Sequence, residues 1–249
     1  MLKILYPHPA LLVEEKGKRT IIISDLHIGF EERFIKSGVR IPSSTYKLID
    51  ELMQIIEREK PSSLVILGDV KYSVDEVTNT EWKEVPPFFE KVVSEIPTTI
   101  IPGNHDGGLE PLVPSDLILE EPQGIKIGNI GMFHGHMKPP TSFSRIDKLI
   151  MGHLHPTYSR KGSPLSGSQT WLMLKVKKSS MFENRATGYV DLIVLPSFNR
   201  ELSALGFTSN RGRIISPVIR RVSEYVQDAV IMTLNGDIIG NKDALPYIL

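Results

Sequence analysis

The sequence predicts an α/β fold in which a first, largely parallel β-sheet fed by crossover helices carries a second sheet packed against it. Three observations lead there. Five short apolar runs of strand length each stop abruptly at a small or polar residue. Between the first two runs, Leu48, Leu52, Ile55 and Ile56 recur at three- and four-residue spacing, the period of an amphipathic crossover helix. Beyond Pro156 the texture changes to alternating strands and a hairpin signal, Asn235-Gly236, which fits a second sheet.

The runs follow in order. Thr20 to Ile23 leads to Ser24-Asp25-Leu26-His27, and Leu64 to Leu67 leads to Gly68-Asp69. Thr98 to Ile101 leads to Pro102-Gly103-Asn104-His105-Asp106, Ile130 to Phe133 leads to His134-Gly135-His136, and Leu149 to Met151 leads to Gly152-His153-Leu154-His155. A helix is expected from Ser44 to Glu59, with Ser43 or Ser44 as N-cap and Pro61 just beyond its end. A weaker helix is expected from Pro87 to Ser94, where Phe88, Phe89, Val92 and Val93 share a face. Later strands are expected at Trp171 to Lys177 and Tyr189 to Leu195, with a hairpin over Ala229 to Ile239.

With 249 residues, 41% of them hydrophobic, the chain can fill a sizeable core, and a single domain over residues 1–249 is expected. Lys plus Arg and Asp plus Glu both number 29, so no global field steers the chain toward nucleic acid or an anionic surface. The absence of cysteine excludes disulfides, thiol nucleophiles and thiolate metal sites, leaving imidazole, carboxylate and amide oxygen as ligands. Residues 1 to 20 carry Pro7, Pro9, Glu14 and Glu15 and form no apolar leader, so a cytoplasmic location is expected. No apolar run approaches the roughly 20 residues that span a bilayer, so no membrane role is expected.

Ligands bind beyond the carboxyl ends of strands in open α/β sheets, so five polar tips at that end would assemble one site. In Asp25-x-His27 and His153-x-His155 the side chains at i and i+2 leave the same face of an extended chain and can reach one ion. Asp69 is the isolated carboxylate available to bridge two cations at the roughly 3.5–4 Å separation of two-metal sites. Glycines before Asp69, Asn104 and His153 suit sharp turns and close backbone approach. Each short motif alone would ordinarily be a turn or surface pair. Their conjunction, which takes five of the seven histidines in order, is what points to a metal centre.

Taken in order, D-x-H, G-D, G-N-H-D, H and G-H-x-H resemble the calcineurin-like metallophosphoesterase superfamily over about residues 20 to 156. The resemblance implies a four-layer sandwich, two mixed β-sheets packed face to face and flanked by helices, with the C-terminal strands from about 157 to 249 completing the second sheet. It implies one divalent ion on Asp25, His27, Asp69 and His155, and a second on Asp69, Asn104, His134 and His153. It implies that His105 contacts the phosphate and protonates or stabilises the departing oxygen, that Asp106 hydrogen-bonds the other ring nitrogen of His105, and that the nucleophile is a metal-bridging hydroxide. The donor set accepts Mn, Fe, Zn, Ni or Co, with manganese the expected occupant.

Within the superfamily, Gly68-Asp69-Val70-Lys71 and His134-Gly135-His136 are similar to the small SbcD-related, ICC-like phosphoesterases. The expected activity is hydrolysis of phosphodiesters, in a nucleic acid or nucleotide, because an alkoxide leaving group benefits from a poised acid such as His105. A phosphomonoesterase or nucleotide phosphatase is the alternative, and a binding scaffold the remote one. His8, between two prolines, reads as a loop residue, and His136 as a neighbour of the centre rather than a ligand. Lys71 reads equally as a phosphate contact or a solvated loop lysine. Lys175, Lys177, Lys178, Arg211, Arg213, Arg220 and Arg221 read as an ordinary charged face or as a track for a nucleic-acid backbone.

Overall fold

The computed structural model describes residues 1–35, 38–182, 186–204 and 216–248. Its first sheet has six strands, β1 (Leu2–Ile4), β2 (Leu11–Glu15), β3 (Lys18–Ser24), β4 (Ser63–Leu67), β5 (Thr98–Ile101) and β6 (Ile118–Leu119), in that spatial order. β1 to β3 form an antiparallel meander, and β3 to β6 run parallel. The second sheet has seven strands, β7 (Ile125–Ile127), β8 (Ile130–Phe133), β9 (Lys148–Met151), β10 (Thr170–Lys177), β11 (Tyr189–Val194), β12 (Val226–Thr233) and β13 (Ile238–Gly240). Their spatial order is β13-β12-β10-β11-β9-β8-β7, with β8, β9 and β11 parallel and the other pairs antiparallel. Both sheets are therefore mixed, as expected.

Period-two alternation sorts the strand residues into layers. Ile21 and Ile23 of β3 and Leu64 and Ile66 of β4 pack outward against Leu48, Leu52 and Ile55 of α2 (Thr45–Glu59) and Val85, Phe88, Phe89 and Val92 of α3 (Asn79–Val93). The intervening Ile22, Val65 and Leu67 turn inward and meet Met132, Ile150, Trp171 and Ile193 of the second sheet. On the far face, Leu149, Met151, Leu172, Leu174 and Leu192 are covered by Val218, Ile219 and Val222 of α6 (Pro217–Val222) and by Met181 of α4 (Lys178–Met181). Four layers result, with apolar contact at all three seams; the two remaining short helices are α1 (Glu32–Ile35) and α5 (Glu201–Ala204).

The crossover helix α2 runs from Thr45 to Glu59 and ends at Lys60, whose φ of 45° and N–H to the Ile56 carbonyl stop the helix before Pro61. Ser44 occupies the N-cap position without capping by its side chain; Ser43 Oγ accepts from the Thr45 N–H instead, at 3.0–3.1 Å from Thr45 atoms. The second helix corrects the expectation. It begins at Asn79, eight residues before Pro87, because Thr78 and Glu81 form a reciprocal capping box. Pro86 and Pro87 lie inside it, and the carbonyls they leave without a donor, those of Trp82 and Lys83, belong to exposed residues.

Candidate metal centre

β3, β4 and β5 of one sheet and β8 and β9 of the other end at the same edge of the sandwich, so their tips converge. The backbone there leaves the strand conformation at once. Asp25, His27, Asp69, His153 and His155 have φ of 58°, 44°, 51°, 69° and 46°, and they are five of the seven described non-glycine residues with positive φ. Such conformations cost about 1 kcal/mol or more each and persist where surroundings impose them. Glycines make the convergence possible. A Cβ on Gly103 would lie 2.2 Å from Asp69 Oδ1, and one on Gly152 would lie 2.5 Å from Asp25 Oδ2.

Two groups of donor atoms meet through Asp69. In the first, His27 Nε2 and His155 Nε2 stand 3.1 Å apart, with Asp25 Oδ1 3.2 Å from the latter. In the second, His134 Nε2 and His153 Nδ1 stand 3.2 Å apart. Asp69 Oδ2 lies 3.6 Å from His27 Nε2 and 3.3 Å from His134 Nε2, and so reaches toward both. Ligand atoms about 2.1 Å from a common ion stand about 3 Å apart when at right angles. That is the spacing seen here. Asn104 is exposed at the β5 tip, between Gly103 and His105, whose N–H donates to Asp69 Oδ1 at 3.0 Å.

Protonation follows from burial and charge. Burial pushes His27 down to about 3, against the pull of Asp69, and pushes His153 down to about 4, aided by the charge of His134. Both imidazoles are therefore neutral, with lone pairs to offer. Burial opposes ionisation of Asp69, but His134, His27 and His105 outweigh it and hold this carboxyl well below its ordinary range. His134 is the exception: burial disfavours its charge, yet Asp69, Asp25 and the Leu67 carbonyl lift it to about 9. Its Nδ1–H donates to Leu67 O at 2.7 Å, which aims Nε2 at Asp69, the usual second contact of a ligating histidine.

These residues fit a divalent ion at each group. Asp25 and Asp69 are 0% and 2% exposed, and among the described residues their charge partners are histidines, with no Lys or Arg paired to them. Buried carboxylates without a fixed cation are costly, and cations between them and the facing imidazole nitrogens remove that cost.

His105 stands at the mouth. Its side chain is 21% exposed, its ring lies edge-on to His27 at 4.8 Å, and Nε2 is 3.9 Å from Asp69 Oδ2. Its Nδ1 partner is the Tyr72 carbonyl, not Asp106. Asp106 instead spends both oxygens on backbone, Oδ1 accepting from Val70 N–H (2.8 Å) and Lys71 N–H (3.4 Å), and Oδ2 from Gly103 N–H (2.8 Å). It thereby ties the β4 and β5 tips together, and those donors are closer to hand than the imidazole. Burial and the charge of Asp69 push its carboxyl up to about 6, while the Gly103 and Val70 N–H groups resist.

Lys71 is not a solvated loop lysine: it is fully buried, with Nζ donating to the Ser73 carbonyl. His136 is half-buried beside His134 and His153, ring centroids 5.3 and 6.3 Å away, a neighbour as expected. His8 pairs with Glu51 at 2.8 Å on the outer side of α2. Lys177 pairs in register with Tyr189, at the end of β11 opposite to Val194, which pairs with Met151 beside the His153 tip. At about 3.3 Å per residue Lys177 lies roughly 17 Å along the sheet from the site and Lys175, paired with Asp191, roughly 10 Å. Lys178 is buried against Asp147 at 3.3 Å. Arg211 and Arg213 lie outside the described residues. The lysines of the basic cluster therefore do not flank the centre. Among the described residues no helix is long and apolar enough to cross a membrane.

Two buried carboxylates and five imidazoles gathered at the strand ends of an α/β sandwich make the site of a metallohydrolase. The chain belongs to the calcineurin-like phosphoesterase family, whose model matches residues 18–181. Among solved structures, Pseudomonas putida nuclease MPE shares the fold at TM-score 0.51 and 15% identity, covering 91% of this chain and 97% of that one. Yfce, a phosphoesterase from E. coli, aligns at TM-score 0.42 and 15% identity over 89% of this chain and 97% of its own. No curated protein matches the sequence. Family membership carries the activity class, metal-dependent hydrolysis of phosphate esters.

Proposed function

We propose that the protein is a dinuclear phosphodiesterase. The observation that carries this reading is the position of Asp69 Oδ2 between the two donor groups, 3.6 Å from His27 Nε2 and 3.3 Å from His134 Nε2. Asp25, His27, Asp69 and His155 would hold one ion, and Asp69, Asn104, His134 and His153 the other. When bound, two such ions supply Lewis acidity toward phosphoryl oxygens and make water available as a nucleophile at neutral pH. The ligand set suits manganese, with Fe, Zn, Ni and Co as competitors.

The chain's own contribution to bond cleavage is His105. With Nδ1–H committed to the Tyr72 carbonyl, Nε2 is the atom turned to the mouth, and it carries a proton only in the imidazolium form. That proton is delivered to the departing oxygen. An alkoxide leaving from a diester requires it more than a good leaving group does, which favours diesters and, among them, nucleotides or nucleic-acid ends. With manganese supplied, bis-nitrophenyl phosphate should be cleaved faster than nitrophenyl phosphate, and DNA or RNA ends should show turnover. Faster monoester cleavage without nucleic-acid turnover would replace this reading with a phosphomonoesterase or nucleotide phosphatase.

A further inference from the structure

β11 leaves the second sheet after Val194, and the next five residues cross to the tips of the first. Leu195 N–H donates to the Met151 carbonyl at 2.8 Å, just before Gly152-His153. Ser197 is held by Gln169, whose Nε2 lies 3.1 Å from the Ser197 carbonyl and 2.8 Å from its Oγ. Phe198 N–H donates to the Ser24 carbonyl at 2.8 Å and Asn199 N–H to the Asp25 carbonyl at 3.4 Å. Asn199 is fully buried, and its Nδ2 donates to the Leu26 carbonyl at 2.9 Å and to Ser44 Oγ at 3.1 Å. Its Oδ1 accepts the Glu201 N–H at 3.2 Å.

Both ends of this carboxamide are used, so its orientation is fixed. Leu26 lies between Asp25 and His27, the two candidate ligands at φ of 58° and 44°. The β4 tip holds the N–H groups of this turn, Asp25 on the Gly68 carbonyl at 3.1 Å and His27 on the Asp69 carbonyl at 2.9 Å, whereas the Leu26 carbonyl between them is held by Asn199. No bond from Asn199 reaches the second donor group among the described residues; its supports are the Leu67 carbonyl for His134 and Asp106 for the β4 and β5 tips. Asn199 also lies beyond residues 18–181, the span matched by the family model.

We infer that Asn199 is a positioning residue for the first ion: through the Leu26 carbonyl it fixes the turn that sets Asp25 and His27 around it. This inference rests on the two-ion reading above. Outer partners that orient ligands typically govern 10- to 100-fold in metal affinity.

The test is manganese titration by calorimetry, with elemental analysis and melting in chelator, on the full chain. Reference variants are His155→Ala for the first group and His153→Ala for the second. Asn199→Asp cannot donate to Leu26, and Asn199→Ser, the milder change, cannot reach it. Each should weaken one of the two ions by about 10- to 100-fold. Added to His155→Ala, either should change the remaining ion little, and added to His153→Ala it should weaken the ion that is left. Wild-type affinity for both ions in the folded variants, even with a lower chelated melting point, would overturn the positioning role. Equal weakening of both ions would overturn it too. A wild-type chain that takes one ion, unaffected by His155→Ala, would overturn the two-ion reading and this inference with it.

Discussion

Two residues separate two regimes between the body of β3 and its tip. Ile22 is fully buried between the sheets, in an extended backbone, with its amide and carbonyl in the ladders to β2 and β4. Asp25 is equally buried, but its φ is 58°, its charge has no Lys or Arg partner among the described residues, and it accepts from the His153 N–H of the opposite sheet at 3.0–3.1 Å. The same switch to positive φ occurs from Leu67 to Asp69 and from Met151 to His153. Strand bodies collect stabilising contacts, and the tips carry unfavourable backbone and buried charge that those contacts offset. Stability and chemistry should therefore respond to different substitutions.

The largest expected separation is at Asp69. Asp69→Ala should lower turnover by about a thousandfold or more, since it removes the anionic group that the two proposed ion sites would share. Its melting point in chelator should move less than that of a core variant. Saturating manganese should raise the wild-type melting point by mass action, about 2.7 kcal/mol of stabilisation at a hundredfold excess over Kd, and should raise that of Asp69→Ala much less. Calorimetric melting with and without chelator reads both.

His105→Ala sharpens the contrast within the tips. Both ions should remain bound while turnover of an alkyl diester falls by about 10²- to 10⁴-fold, and the loss should shrink for a nitrophenolate leaving group. Loss of an ion on elemental analysis would show His105 to be a ligand.

Ile22→Ala tests the strand bodies. It should cost about 3 kcal/mol in denaturant unfolding and leave manganese affinity and turnover of the folded fraction near wild type. A drop in affinity comparable to the drop in stability would erase the distinction between body and tip.

The smallest effect is expected far from the centre, at Glu59 at the end of α2. It is buried against Lys3 at 3.1 Å, Arg19 at 3.0 Å and Arg58 at 3.2 Å. Burial opposes its charge, but Lys3 and then Arg58 outweigh it and lower its pKa. A depressed carboxyl contributes stability above the ordinary glutamate pKa and loses it as pH falls through the lower folded value. Glu59→Gln should cost about 1 kcal/mol at neutral pH, less as the medium is acidified through that window, and nothing in turnover.

What was legible in the sequence follows the same division. Strand bodies announce themselves by apolar runs, and their tips by ligand types in order, so five strands and the candidate ligands could be read directly. β1 and β2 were obscured because β1 is three residues long, Pro7 and Pro9 crowd the turn between them, and Glu14 and Glu15 end the second. The start of α3 was written in Thr78-x-x-Glu81 but masked by Pro86-Pro87, which ordinarily begin a helix rather than sit within one. The partners of His105 and His134 are backbone carbonyls, of Tyr72 and Leu67, and no side-chain pattern encodes a carbonyl. Asn199 had a signal of the same kind as the other tips: an apolar run, Tyr189 to Leu195, that stops at Pro196-Ser197-Phe198-Asn199.

The order of strands in the second sheet bears on where this chain tolerates shortening. β9, which delivers His153 and His155, lies between β8 and β11, and β11 begins eight residues after the family match ends at residue 181. A chain stopped at residue 181 would keep every candidate ligand, yet β9 would present an unpaired edge and Leu149 and Met151 would lose the cover of α6. Bare parallel strands of that kind recruit other chains. Such a fragment should aggregate rather than fold, so a motif-complete piece of this protein is not a functional unit, and insertions or fusions are better placed in the loop between β12 and β13, whose Asn235-Gly236 turn leaves β9 enclosed.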